Sequence, residues 1–128
     1  MPKLVYFNLM GRAQPIRFLL AHKGIQFEDV RLSFEEWNAA KAAGTYTAVG
    51  GSLPSFITDD GVKYNQGRAI LEMLAMQNGV YPTTPKELYE YNWYFETLKD
   101  HEKPELFPVV FKEGQTEELQ QQFCDLIG

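Results

Sequence analysis

A tyrosine near the end of a short apolar run, a tryptophan and a lysine one helical turn apart, a Leu-Pro step and a Gln-Gly pair are the groups best suited to chemistry in this chain. Tyr6 offers a phenolic O–H, a neutral donor that favours the charged form of an anion it faces. Trp37 and Lys41 lie on one helix face, an arrangement able to hydrogen-bond and charge-pair a carboxylate. Gln66 and Gly67 open a further helix, whose free N–H groups and positive dipole end make a seat for a second carboxylate. At Leu53-Pro54 an extended backbone segment can pair with a peptide as a strand added to a sheet edge. Each group also has a plain structural use. Tyr6 can be a packed strand residue, Pro54 the start of an edge strand, and Trp37 and Lys41 the core and solvated sides of an amphipathic helix. His22, His101 and Cys124 have no partners at ligand spacing, so they read as structural and no metal is expected.

Positioning these groups takes a succession of short elements. Residues 3–8 are β-branched and aromatic, as in a buried strand. Pro15 suits a first helical turn, and Gly24 is placed to stop that helix in the left-handed conformation. A strand over 26–32 leads to Ser33-Phe34-Glu35-Glu36, a capping box that opens a helix through Trp37 and Lys41. Residues 44–52, rich in Gly, Thr, Ala and Ser, read as a long irregular loop. Residues 53–58 and 62–64 form a hairpin around Asp59-Asp60-Gly61, and Ala69, Ile70, Met73, Leu74 and Gln77 mark a third helix ended by Asn78-Gly79. Thr84-Pro85-Lys86-Glu87 starts a long helix that Pro104 ends, and a last helix begins near Thr116. The order is βαβ then ββα, the thioredoxin-type arrangement of an α/β domain. Residues 1–79 are expected to form that domain, 80–84 a linker, and 85–128 the start of a helical domain.

Composition narrows the function classes. The chain is 45% hydrophobic, enough for a packed core, yet no apolar stretch is long enough to span a bilayer, so membrane insertion is not expected. Its net charge of -5, with basic residues scattered, opposes nucleic-acid binding. A single cysteine rules out an internal disulfide and a two-cysteine redox centre. Arg12 and Arg17 interrupt the apolar character of the N-terminal residues, which do not read as a secretory leader, and a cytoplasmic location is expected.

Tyr6-Phe7-Asn8, Gly11-Arg12-Ala13 with Pro15-Ile16-Arg17, Ser33 to Trp37 with Lys41, Leu53-Pro54, and Gln66-Gly67-Arg68-Ala69-Ile70 occur in order. Together they resemble the sigma-class and mu-class glutathione transferases over residues 3 to about 100. The resemblance implies a thioredoxin-like glutathione-binding domain followed by a truncated, all-α C-terminal domain. It implies a glutathione site made of Tyr6, Arg12, Trp37, Lys41, Leu53, Pro54, Gln66 and Gly67, with Asp100 reaching across a dimer to the glutamyl amine. Asp100 read without the family is a plain surface aspartate. A thiol attacks as its thiolate, and Tyr6 is the implied donor to the sulfur. Phe7, Leu9 and Met10, with the helix over 91–100, are the implied wall for a hydrophobic electrophile.

Departures from the family pattern leave two functions open. Gly67 stands where the family has a serine, Met10 where an arginine is common, and Gly50 where several classes carry an aromatic dimer key, for which Tyr46 is a candidate substitute. The loop before Pro54 is long and the chain is shorter than the family's. One reading is a glutathione transferase with glutathione as co-substrate and no metal. The other is a transferase-derived structural or interaction subunit with weakened or lost catalysis. Intact Tyr6, Trp37, Lys41, Pro54 and Gln66 favour the first; Gly67 and the short length favour the second. Disulfide exchange is excluded by the lack of a cysteine near the first helix. Trp93, Phe95 and Leu98, with the stripe Leu119, Phe123, Leu126 and Ile127, are expected to be covered in a homodimer or by chains of a larger assembly.

Overall fold

The computed structural model describes residues 1–47, 51–101 and 121. Strands β1 (Lys3–Phe7), β2 (Glu28–Leu32), β3 (Ser55–Ile57) and β4 (Lys63–Asn65) form one sheet in the order β2-β1-β3-β4. β1 runs parallel to β2, with Tyr6 beside Arg31, and antiparallel to β3, with Val5 beside Ser55. Helix α1 (Gln14–His22) supplies the crossover that a parallel pair requires, and α2 (Phe34–Ala43) leads from β2 to the loop before β3. α3 (Gly67–Gln77) follows the β3-β4 hairpin. This is the thioredoxin-like βαβ-ββα arrangement expected from the sequence.

Alternation along β1 sends its side chains to two cores. Leu4 and Tyr6 pack with Ala13, Ile16, Leu20, Ile70 and Leu74 beneath α1 and α3, while Val5 packs with Leu32 and Trp37 beneath α2. The capping box is formed: the Ser33 hydroxyl accepts from the Glu36 N–H at 3.1 Å, and the Glu36 carboxylate accepts from the Ser33 N–H at 2.7 Å. Gly24 takes a left-handed φ of 65°, as its position after α1 predicts.

Boundaries differ from the sequence reading where backbone donors are missing. β3 begins at Ser55 instead of residue 53, because Pro54 has no N–H to give the ladder. A single 3-10 turn, Gly11–Ala13, precedes α1 and was not anticipated. The loop after α2 is tied down by the hairpin. Lys63 Nζ donates to the Gly44 carbonyl at 3.0 Å, the Ser55 hydroxyl to the Tyr46 carbonyl at 2.6 Å, and Asn65 Nδ2 to the Ser52 carbonyl at 2.9 Å.

Backbone contacts divide the chain into one unit, Met1–Tyr81, and a second that starts at Pro82. The second contains α4 (Pro85–His101), capped as expected: Thr84 Oγ1 accepts from the Glu87 N–H at 3.2 Å, and the Glu87 carboxylate accepts from the Thr83 and Thr84 N–H groups. Of the expected last helix only Gln121 is described, and it is helical; the stripe from Leu119 to Ile127, Pro104, Cys124 and Gly50 lie outside the described residues.

Candidate functional site

β1 delivers Tyr6 to the end of the sheet with only 8% of its surface exposed, its ring in the core under α1. The Arg12 backbone N–H donates to the phenolic oxygen at 3.3 Å. The oxygen therefore accepts from the protein and keeps its own hydrogen for another partner. Gly11 makes this approach possible. Its φ is 40°, and a Cβ there would fall 2.8 Å from both Cε1 and Oη of Tyr6, so any side chain would displace the ring or the turn.

The same turn meets two other expected site segments. A Cβ on Gly67 would lie 3.2 Å from the Arg12 carbonyl oxygen and 3.2 Å from Pro54 Cγ. Arg12, Pro54 and the start of α3 thus converge within the first unit. The Leu53–Pro54 bond is cis, Pro54 is fully buried, and the Leu53 backbone precedes the β1 ladder. Gln66 is the N-cap of α3 with φ 74°, a conformation rarely taken by residues other than glycine, and its exposed side chain makes no capping hydrogen bond.

α2 holds Trp37 and Lys41. Trp37 is 9% exposed, packed on Val5 and Leu32, and lies edge-on to Phe7 with ring centroids 6.5 Å apart. Lys41 is exposed, its Nζ 5.9 Å from the Trp37 ring centroid, so the indole serves both as core and as a platform for the cation. The capping box that starts this helix holds the Glu36 carboxyl below the ordinary glutamate range, first through the Ser33 backbone N–H and then its hydroxyl.

Of the expected apolar wall, Phe7 is half-buried, edge-on to Tyr6 at 5.4 Å and tilted on Phe34 at 4.7 Å. Leu9 is half-buried and Met10 exposed. Asp100 is exposed on α4, in the second unit. Among the described residues no cluster of His, Cys, Asp and Glu could hold a metal, and no helix is long and apolar enough to cross a membrane.

Sequence reasoning missed the groups that hold the Tyr6 turn. Arg17 is buried at 7% exposure, with Nε donating to Asp29 Oδ1 at 3.1 Å and Nη1 to the Leu9 carbonyl at 2.9 Å. The signal was its spacing. Ala13, Ile16, Arg17 and Leu20 follow the i, i+3, i+4, i+7 pattern of a buried face, so the guanidinium had to find partners inside.

Residues 2–76 match the family model described as the glutathione S-transferase N-terminal domain. The chain is 30% identical to a class-mu 28 kDa glutathione S-transferase isozyme of Schistosoma japonicum, over 98% of this chain and 66% of the relative. It is 36% identical to the hematopoietic prostaglandin D synthase of Gallus gallus, over 91% and 55% respectively. Among solved structures, a nematode-specific glutathione S-transferase of C. elegans superposes with a TM-score of 0.77 at 31% identity, covering 98% of this chain and 62% of that one. The chain thus spans between about half and two thirds of these relatives. With the motifs in order, the sheet of the expected topology and a family match across most of the first unit, the chain belongs to the glutathione S-transferase family.

Proposed function

We propose that this chain binds glutathione at the end of its sheet and promotes attack of the glutathione sulfur on a hydrophobic electrophile. The observation that carries this is the Tyr6 hydroxyl, whose oxygen accepts the Arg12 N–H and whose hydrogen remains to be donated. A hydrogen bond to the thiolate stabilises it over the thiol, raising the nucleophilic fraction near neutral pH. The thiolate forms the carbon–sulfur bond while the leaving group departs with its electron pair.

In this reading the start of α3, at Gln66 and Gly67, receives the γ-glutamyl carboxylate, and Trp37 and Lys41 the glycyl carboxylate. Backbone at Leu53, ahead of cis Pro54, pairs with the cysteinyl main chain, and Arg12 supports the turn against which the tripeptide lies. Phe7, Leu9 and Met10 line the electrophile side, and Asp100 reaches the glutamyl amine of a partner subunit in a homodimer. A cytoplasmic location suits a single-cysteine chain that consumes a reduced thiol. Retention on immobilised glutathione, followed by conjugation with a generic aromatic electrophile, tests the proposal. Retention without turnover would instead support a binding or structural subunit.

A further inference from the structure

The turn that presents the Arg12 N–H to Tyr6 has no regular structure of its own between β1 and the 3-10 segment. Two backbone bonds hold its start, Asn8 N–H to the Leu32 carbonyl at 3.2 Å and Leu9 N–H to the Phe7 carbonyl at 2.7 Å, and a set of side-chain bonds holds the rest. Arg17 Nη1 donates to the Leu9 carbonyl at 2.9 Å, to the Met10 carbonyl at 3.3 Å and to Gln14 Oε1 at 3.2 Å. Arg17 Nε is paired with Asp29 Oδ1 at 3.1 Å, while Asp29 Oδ2 accepts from Arg31 Nε at 2.9 Å. Arg31 Nη1 donates in turn to Asn8 Oδ1 at 3.4 Å, so the far end of the chain of bonds returns to the same turn. Arg17 Nη2 is buried without a hydrogen-bond partner among the described residues, so the whole hold is exerted through Nε and Nη1.

We infer that the Arg17–Asp29 pair is a positioning device that clamps residues 8–10 and thereby holds the Arg12 N–H on the Tyr6 hydroxyl. A planar guanidinium suits this because its donors point in fixed directions, one edge to a carboxylate and the other to two successive carbonyls. Asp29 lies on β2 beside Leu4, on the sheet face that α1 covers, so the clamp also sets the turn relative to the sheet. Lysine at position 17 keeps the charge and loses the fork. Arg17 acts on the chemistry only through Tyr6, and this role in turnover rests on the function proposed above.

The test is amide hydrogen exchange on the full chain without ligand, comparing the parent with Arg17→Lys and Asp29→Asn. The Arg12 amide is expected to exchange at least about tenfold faster in both variants while the Leu20 and Ile70 amides keep their parent rates, as local opening requires. An Arg12 amide as protected as in the parent, or one that accelerates only in step with Leu20 and Ile70, would overturn the inference. Asp29→Asn retains volume and an acceptor, so it carries the test if Arg17→Lys does not fold. In conjugation kinetics the variants should lose about tenfold in kcat with KM for glutathione within about twofold. A parent chain that does not conjugate glutathione would refute the proposed function, whereas the exchange rates judge the clamp independently.

Discussion

Gly67 stands so close to the Arg12 carbonyl that a Cβ added to it would lie 3.2 Å from that oxygen. The family's serine at this position therefore cannot be restored without local adjustment, since Pro54 Cγ stands at the same distance and Pro54 is fully buried. Comparing Gly67→Ser with Gly67→Ala cancels the crowding and isolates the hydroxyl. If the start of α3 seats a carboxylate, the serine variant should bind glutathione about 10- to 150-fold tighter than the alanine variant, the worth of a hydrogen bond to a charged group. Calorimetric titration of both decides it; equal affinities would place the carboxylate elsewhere.

Tyr6→Phe keeps the ring in its core position and removes both the O–H and the acceptor for the Arg12 N–H. Turnover should fall far more than glutathione affinity, because the donor matters most once the sulfur is charged. Stability should fall by about 0.5–1.5 kcal/mol, the net worth of the lost hydrogen bond. Steady-state kinetics and denaturant unfolding measure the two effects, and an unchanged kcat would refute the role given to Tyr6.

Trp37 and Lys41 should separate under mutation although the ammonium lies over the indole ring. Trp37→Ala removes a buried ring and is expected to destabilise the first unit by about 3–5 kcal/mol. Lys41→Met forfeits only an exposed cation–π contact, worth about 0.5–1 kcal/mol, yet should weaken glutathione binding by about tenfold or more if the ammonium pairs a carboxylate. Retained affinity in Lys41→Met would leave Lys41 as a solvated charge.

Acid should loosen α2 before the core. The Glu36 carboxyl is held below its ordinary value by the Ser33 backbone and hydroxyl, so its stabilising contribution is complete above the unfolded value, about pH 4.3, and is lost as pH falls through the depressed one. Glu87, held down first by the Thr83 backbone and then by that of Thr84, acts in the same direction at α4. Thermal unfolding of Glu36→Gln should accordingly show a shallower decline with acid than the parent. Parallel curves would mean the carboxylate contributes nothing at the helix start.

Within α4, Tyr89, Trp93, Tyr94 and Leu98 are each more than half exposed. Covering large apolar side chains gains about 1.5–3 kcal/mol apiece when complete, so the proposed homodimer through this helix should be stable at micromolar concentration. Sedimentation of Trp93→Ala and Leu98→Ala should show the chain shifted toward monomer. A parent that sediments as a monomer without binding a hydrophobic dye would remove the proposal.

Local chemistry in the sequence determined the elements and their caps. Ser33 with Glu36, Thr84 with Glu87, and Gly24 after α1 act through backbone groups only a few residues away, so their spacing carried the full signal. The residue types of the candidate site were legible for a related reason: Tyr6, Leu53-Pro54 and Gln66-Gly67 occur at the ends of elements, where motif and position coincide. The contacts among them were not legible. That Gly11 must lack a side chain to admit the Tyr6 hydroxyl, that Arg12 and Pro54 close on Gly67, and that Arg17 reaches Asp29 all depend on residues far apart in the chain. Those pairings were decided by the parallel register of β1 on β2 and the docking of α1 and α3 on the sheet, because close packing sets distances that spacing along the chain does not contain.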